Sequence, residues 1–346
     1  MSKVFFTKDV NNVASLFDAA GFKSIISPED FVALKIHFGE KGNTAYIKPD
    51  RVKPIIDKVK VAGGHPFWTD SNTLYKGSRG TALTHLSTAF DHGYTFENTG
   101  AHVVIADGLE GKQNHKLPVN LKYFKEVLVG GVVIESDALI ALTHFKGHEV
   151  AGFGGAIKNI SMGFASRAGK QQMHSDLKPF VDETNCTSCG KCIKWCPTNA
   201  INFAENKKAF INLSKCIGCG ECVAACRFDA IGINWQGEPD IVQKKMAEYA
   251  YGITKHFKHK TAFINFITDV SPNCDCFPNN DTPIIPDVGI LASSDPVAID
   301  QASIDLVNKS AGKDILREIH GVDWSVQLKY AEEIGLGSRE YELVVK

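Results

Sequence analysis

The sequence predicts an α/β fold, a mostly parallel sheet with helices on both faces, plus a small cysteine-rich α+β module inserted in it. Three observations predict this. Short apolar runs alternate with helical segments through the first third and again after Pro239, the βαβ rhythm of a parallel sheet. That rhythm stops near Lys178. Eight of the ten cysteines then fall within 41 residues, while the first 185 residues hold none.

The elements follow in order. Val4–Phe6 is a short strand, Asn11–Gly21 a helix with Leu16 and Phe17 on its apolar side, and Phe31–Phe38 a strand. Pro49–Ala62 is a helix opened by Pro49 and closed by Gly63-Gly64, the usual start and stop signals. Pro66–Trp68 is a strand, and Thr81–His92 a helix ending at Gly93. His102–Ala106 and Ala138–Thr143 are strands. After the cysteine-rich stretch come the helix Asp240–Phe257, the strands Thr261–Thr268 and Val288–Leu291, and a helix from Asp295-Pro296 to about Asn308. The helix Trp324–Ile334 and the strand Tyr341–Val345 close the chain. The simplest topology is one α/β domain, residues 1–178 and 237–346, interrupted by a module at 179–236. Two independent α/β lobes joined by that module are the competing arrangement.

The 346 residues carry a net charge of −1 and are 44% hydrophobic, so no global field favours nucleic acid or an anionic membrane. No apolar run is long enough to span a bilayer, and Met1–Asp9 has no signal-peptide pattern. The expectation is a cytoplasmic protein with neither nucleic acid nor membrane as partner.

The cysteine stretch repeats at an offset of 30: Cys186, Cys189, Cys192 and Cys196 become Cys216, Cys219, Cys222 and Cys226, and Ala200-Ile201 becomes Ala230-Ile231. Both runs read C-x2-C-x2-C-x3-C, the spacing of two-cluster bacterial ferredoxins. Three thiolates on a tight loop reach three corners of a cubane. The fourth opens the next helix and serves the other cubane. One [4Fe–4S] cluster is therefore expected on Cys186, Cys189, Cys192 and Cys226, and the second on Cys216, Cys219, Cys222 and Cys196. Gly190, Gly218 and Gly220 let backbone N–H groups approach the sulfurs. Pro197 follows Cys196 as expected, and Arg227 stands where a second proline would be. A hairpin is expected between Ile201–Phe203 and Phe210–Asn212. Structural zinc is the alternative for paired C-x2-C motifs, but zinc rarely needs eight cysteines so doubled. Between Lys178 and Asp229 seven Lys/Arg face five Asp/Glu, a balance that hints at a relay working within its own protein.

Polar residues gather just past predicted strand ends: Lys35 and His37; Asp70, Asn72, Tyr75 and Arg79; Asp107; His144, Lys146 and His148; Asp269; Asp295. In open α/β sheets ligands bind outside the carboxyl ends of the strands, so at least four of these are expected to converge on one cleft. Lys35, His37, Asp70 and His144 are the candidates for acid–base or anion-binding roles. The glycine-rich run Thr143–Asn159 is neither a phosphate-binding P-loop nor a dinucleotide fingerprint. Its Gly154, Gly155 and Lys158 are the candidate cofactor-binding residues, opening a helix whose N-terminus binds an anion. His144, His148, His174, Cys274 and Cys276 are candidate ligands of a third metal. Cys274 and Cys276 could instead be a redox pair or loop thiols, and a disulfide between residues so close is strained.

Taken whole, the chain resembles the iron–sulfur proteins of the domain-of-unknown-function 362 family. The resemblance rests on K-I-H-F-G-E and N-T-A-Y-I-K-P near Lys35–Pro49, T-D-S-N-T-L-Y-K-G at Thr69–Gly77, and G-H-E-V-A-G-F-G-G-A-I-K-N at Gly147–Asn159. It continues in P-N-C-D-C at Pro272–Cys276 and D-V-G-I-L-A-S-S-D-P-V-A-I-D at Asp287–Asp300. It implies one α/β domain interrupted by two [4Fe–4S] clusters and says little about reaction. Three functions remain open: an oxidoreductase passing electrons through the clusters to a small-molecule substrate or cofactor in the cleft; an electron-transfer or maturation partner of another protein; and a non-redox enzyme with structural or sensory clusters.

Overall fold

The computed structural model describes residues 1–75, 77–174, 179–196, 198–216, 221–233, 239–279 and 281–346. Eight strands form one sheet: β1 (Ser2–Thr7), β2 (Phe31–Lys35), β3 (His65–Asp70), β4 (Val103–Ile105), β5 (Ala138–His144), β6 (Thr261–Ile267), β7 (Gly289–Ser293) and β8 (Tyr341–Val345). Their order is β8-β1-β7-β6-β5-β2-β3-β4. Only β7 runs against the others, so the α/β, mostly parallel class holds. β5 pairs in parallel with β6 from Thr261↔Leu139 to Phe266↔His144, across the whole cysteine-rich segment.

The central strands are buried on both faces, which is why they read as unbroken apolar runs. Along β5, Leu139 and Ala141 enter one core and Ala138, Ile140 and Leu142 the other; along β6, Phe263 and Ile267 oppose Ala262, Ile264 and Phe266. The two-residue period of the strand sends alternate side chains to opposite faces. Helices Val13–Ala19, Pro49–Val61 and Ala82–Asp91 supply Leu16, Ile55 and Ala89 to one core. Helices Ala156–Phe164, Pro239–His256 and Pro296–Ala311 supply Ile160, Met246 and Ile299 to the other.

Chain order gives the functional end of the sheet. The chain passes from β2 outward to β3 and β4, then returns to place β5 on the other side of β2. The carboxyl ends of β2 and β5 therefore flank a topological switch point, where connections leave in opposite directions and open a crevice. Being antiparallel, β7 delivers Asp295 to the opposite edge. There it caps Pro296–Ala311, accepting from Val297 and Ala298 N–H at 2.8 and 3.0 Å. Its expected place in the cleft is thus corrected by strand direction. Gly289 opens β7 at φ +143, and a Cβ there would lie 2.2 Å from the Thr7 carbonyl oxygen.

Hairpins at His115–Pro118/Glu126–Val129 and Lys146–His148/Gly152–Gly154, and the helix Arg167–Met173, are additions to the expected elements. The cysteine-rich segment pairs Ile201–Phe203 with Ala209–Ile211 and Pro179–Val181 with Ile231–Ile233, and its short helices Lys191–Trp195 and Glu221–Ala225 pack together. The expected hairpin is present one residue earlier on its second strand. Pro197, Gly218, Cys219, Gly220 and the boundary positions 178 and 236 lie outside the described residues. No helix among those described is long and apolar enough to cross a membrane.

Gly289→Ala is expected to destabilise the fold by about 2 kcal/mol, since it meets both a backbone clash and a φ that L-residues avoid. A denaturant midpoint equal to that of the unaltered chain would contradict this reading.

Candidate functional site

A cavity of about 810 Å³ opens at the switch point. Lys35 and His37 come to it from the end of β2, Asp70, Tyr75 and Arg79 from β3 and its loop, and Lys146 and His148 from the segment after β5. The expected convergence is met by these seven. Asn72, Asp107, His144, Asp269 and Asp295 do not line it.

One buried ion network forms its floor. Lys35 Nζ lies 3.0 Å from Asp70 Oδ1 and donates to Asn159 Oδ1 at 2.8 Å. Arg79 bridges Asp70 at 3.4 Å and Glu40 at 3.3 Å, and donates to the Tyr75 hydroxyl. Burial pushes the Asp70 carboxyl up, but Lys35, with His85, His37 and Arg79, outweighs it and holds the group well below the usual carboxylate range. Burial lowers Lys35, and Asp70 opposes that shift only in part. On another wall Lys170 donates to Ser71 Oγ and the Ala165 carbonyl at 2.5 and 2.7 Å. Burial, opposed mainly by Asp107, brings its ammonium down to about 8.

His144, an expected acid–base residue, is a strut. Its Nδ1 meets both Asp275 oxygens at 2.9 Å, and its Nε2 meets the Thr268 carbonyl at 2.8 Å. No ring nitrogen is left for a substrate. Lys146 joins Asp275 at 3.1 Å, and the Asp275 carbonyl accepts from Glu40 N–H at 3.0 Å. Burial alone would raise Asp275, but His144 and Lys146 drive it far below the ordinary value.

With Asp275 drawn inward, Cys274 and Cys276 both line the cavity. Cys274 Sγ donates to Cys276 Sγ at 3.0 Å, and His37 Nε2 stands 3.5 Å from the latter. His37 Nδ1 accepts from Gly39 N–H, which leaves the ring proton on Nε2, facing the sulfur. The Cys274 thiol, joined by His37 and Lys158, lowers Cys276 well below the ordinary thiol value against the pull of burial. Cys274 is raised by the same contact and by burial. Lys158 Nζ lies 3.8 Å from Cys274. His148 Nδ1 accepts from Val150 and Ala151 N–H; burial and then Lys158 hold that ring neutral.

The glycine-rich run is only partly as expected. Gly154, Gly155 and Lys158 all line the cavity, but the N-terminus of Ala156–Phe164 already has its anion. Ala156 and Ile157 N–H donate to the buried Asp300 carboxylate at 2.7 and 3.0 Å, and Asn265 Nδ2 donates to it at 2.9 Å. A Cβ on Gly155 would stand 2.3 Å from Asp300 Oδ1. That glycine admits an internal carboxylate, which corrects the expected anion site. Among the described residues no group of three or more His, Cys, Asp or Glu is placed to hold a metal ion, neither at the cavity nor in the cysteine-rich segment.

In the cysteine-rich segment, Cys186, Cys189, Cys192 and Cys226 line one small hollow, with Phe203, Phe228 and Ile231 around them. Ala200 and Ala230 N–H, one repeat apart, donate to Cys196 and Cys226 Sγ at 3.2 and 3.3 Å, and Ala209 N–H reaches Cys186 Sγ at 3.5 Å. Cys186, Cys192 and Cys222 share an apolar cluster with Leu74, which itself lines the large cavity. Glu110 pairs with Arg227, and Lys112 Nζ lies 4.6 Å over the Trp195 ring.

Glu40, Lys170 and Asp275 were not anticipated. Lys170 sits on a helix too short to show periodicity. Asp275 lies in a turn, where no period marks which side chain turns inward.

Asp275→Asn is expected to cost about 3 kcal/mol at pH 7, because it leaves buried cations unpaired. The folded pKa lies below the unfolded one, so this stabilisation is full above about pH 4 and is lost as pH falls further. Urea midpoints from pH 7 to 2 should fall less steeply for the variant; parallel curves would sink the assignment.

No curated protein matches this sequence. Among solved structures, the chain is similar to the lactate racemase apoprotein from Thermoanaerobacterium thermosaccharolyticum, with 12% identity and a TM-score of 0.42, covering 90% of this chain and 58% of that one. It is also similar to a protein from Thermotoga maritima, with 10% identity and a TM-score of 0.42, covering 85% and 58%. The chain thus spans under two thirds of the length of either. The family described as Domain of unknown function (DUF362) matches residues 32–305, and the chain belongs to that family.

Proposed function

We propose that this protein is an iron–sulfur oxidoreductase in which residues 179–236 are an inserted electron relay against the wall of a cationic substrate cavity. The observation that carries the reading is Leu74. It lines the cavity and belongs to the same apolar cluster as Cys186, Cys192 and Cys222, so the core of the cysteine-rich segment continues into the cavity wall.

The hollow lined by Cys186, Cys189, Cys192 and Cys226 supports one [4Fe–4S] cluster, and the repeat of the same spacing at Cys216–Cys226 supports a second. Four thiols from both repeats around one hollow suit a cubane, whose iron corners hold thiolates farther apart than one ion does. Backbone N–H groups aimed at three sulfurs favour the charged cluster form. Cys186, Cys189, Cys192 and Cys226 would hold one cluster, and Cys196, Cys216 and Cys222 with Cys219 the other. When bound, the clusters supply electrons one at a time. The chain's own residues do the rest. Arg79, Lys146 and Lys158 favour an anionic small molecule, Lys35 and Asp70 fix the floor, and Lys170 has a pKa matched to proton exchange near neutrality.

A second reading, electron exchange with a redox partner protein, is favoured by Phe203, Phe210 and Phe228, each about half exposed on the relay. It concerns where electrons enter rather than what the cavity does.

Anaerobically purified protein is expected to hold about eight irons and eight sulfides. Cys226→Ala should hold about half and unfold more readily, since metal binding is coupled to folding. Unchanged iron in that variant would overturn the ligand assignment. A second test is steady-state reduction of anionic acceptors by the chemically reduced protein. Lys158→Met should raise KM by about tenfold, the scale of one lost charge-assisted contact, and an unchanged KM would remove the cavity from the proposal.

A further inference from the structure

We propose that Cys274 and Cys276 form a two-electron dithiol/disulfide couple that faces the cavity and reacts with small disulfides bearing anionic groups. This deepens the function proposed above and rests on it only for the source of electrons. The thiol chemistry needs no cluster.

The geometry carries the assignment. Phe277 N–H donates to the Cys274 carbonyl at 3.1 Å, closing a tight turn over Cys274–Phe277. Asp275, inside that turn, is pinned by His144 and Lys146, which leaves both sulfurs facing the cavity 3.0 Å apart. The roles differ. Cys276 accepts the Cys274 thiol proton and faces His37 Nε2–H, so it is the thiolate and nucleophile. Cys274, 3% exposed, is the resolving thiol. Lys158 beside Cys274 and Arg79 in the same cavity favour negative charge on the incoming molecule. A disulfide between residues two apart is strained and easily reduced, which suits a couple that cycles rather than a structural staple.

The steps balance. The Cys276 thiolate attacks one sulfur of the substrate disulfide, forming a mixed disulfide and expelling the first thiolate. Cys274 sulfur then attacks Cys276 sulfur, releasing the second fragment, and the Cys274 proton leaves with it as a thiol. The Cys pair is oxidised by two electrons and the substrate disulfide reduced by two. Return to the Cys274 thiol and Cys276 thiolate takes two electrons and one proton, which an external dithiol supplies by exchange and which the relay, on the function proposed above, would supply as single electrons.

The test uses the full chain, purified anaerobically, exposed to glutathione disulfide at pH 7, acid-quenched, capped with N-ethylmaleimide and analysed by peptide mass. The peptide holding Cys274 and Cys276 should become two hydrogens lighter, and dithiothreitol should restore it. Cys274→Ser should trap glutathione on Cys276, whereas Cys276→Ser should react at Cys274 at least about tenfold more slowly. Relative to free cysteine, the protein should prefer glutathione disulfide to uncharged bis(2-hydroxyethyl) disulfide. Two maleimides on the wild-type peptide after exposure to either disulfide, or no adduct in Cys274→Ser, would overturn the couple. Equal relative rates would overturn the anionic class. Iron measured in the same samples separates the readings: disulfide formation without iron leaves the couple standing and removes the relay.

Discussion

The buried carboxylate of Asp275 is the constraint on which the site depends. It is wholly enclosed, and an isolated charge there would be intolerable. It is tolerable because β5 ends in His144 and continues to Lys146, both within reach. That pairing ties the loop after β6 to the end of β5, while the Asp275 carbonyl ties it to Glu40 beyond β2. Three segments separated by more than a hundred residues are thereby fixed around the crevice that the sheet topology opens. The two thiols face that crevice because the residue between them is held the other way.

A second layer of the same logic joins Lys35, Asp70, Arg79 and Glu40. Removing one partner from such a network leaves an uncompensated buried charge, costly even where the intact network adds little net stability. The network therefore specifies geometry more than it stabilises the chain. It holds Arg79 against the Tyr75 hydroxyl and leaves Lys158, 3.8 Å from the Cys274 sulfur, lining the cavity.

Much of this was legible in the sequence. The apolar runs of β5 and β6 announced strands buried on both faces, and the rule that sites lie beyond strand ends brought Lys35, His37, Asp70 and Arg79 to one place. Asp295 was misplaced because a strand's direction is not written in its own residues: β7 looks like its neighbours and runs against them. His144 looked chemical because it stands at the end of a strand, and only the two acceptors around its ring show it to be a strut. The glycines at 154 and 155 pointed to an anion at the helix N-terminus, but the anion there is Asp300, some 145 residues from Gly155 in sequence. Such long-range partners leave no local trace. The small hairpins and the Lys170 helix are too short to carry a period.

The placement of the cysteine-rich segment gains meaning from electrostatics. On the proposed reading, each electron entering the cavity adds negative charge whose cost depends on the fixed charges nearby. Arg79, Lys146 and Lys158 stand there already, and Asp275, Asp70 and Glu40 hold cations in place rather than facing the cavity as unpaired anions. A site so arranged lowers the free energy of the reduced state without reorganising when the electron arrives. The same cations stabilise a thiolate at Cys276. On that reading a pocket lined by these cations would serve both halves of the proposed chemistry, favouring the arrival of electrons and keeping a sulfur nucleophile ionised.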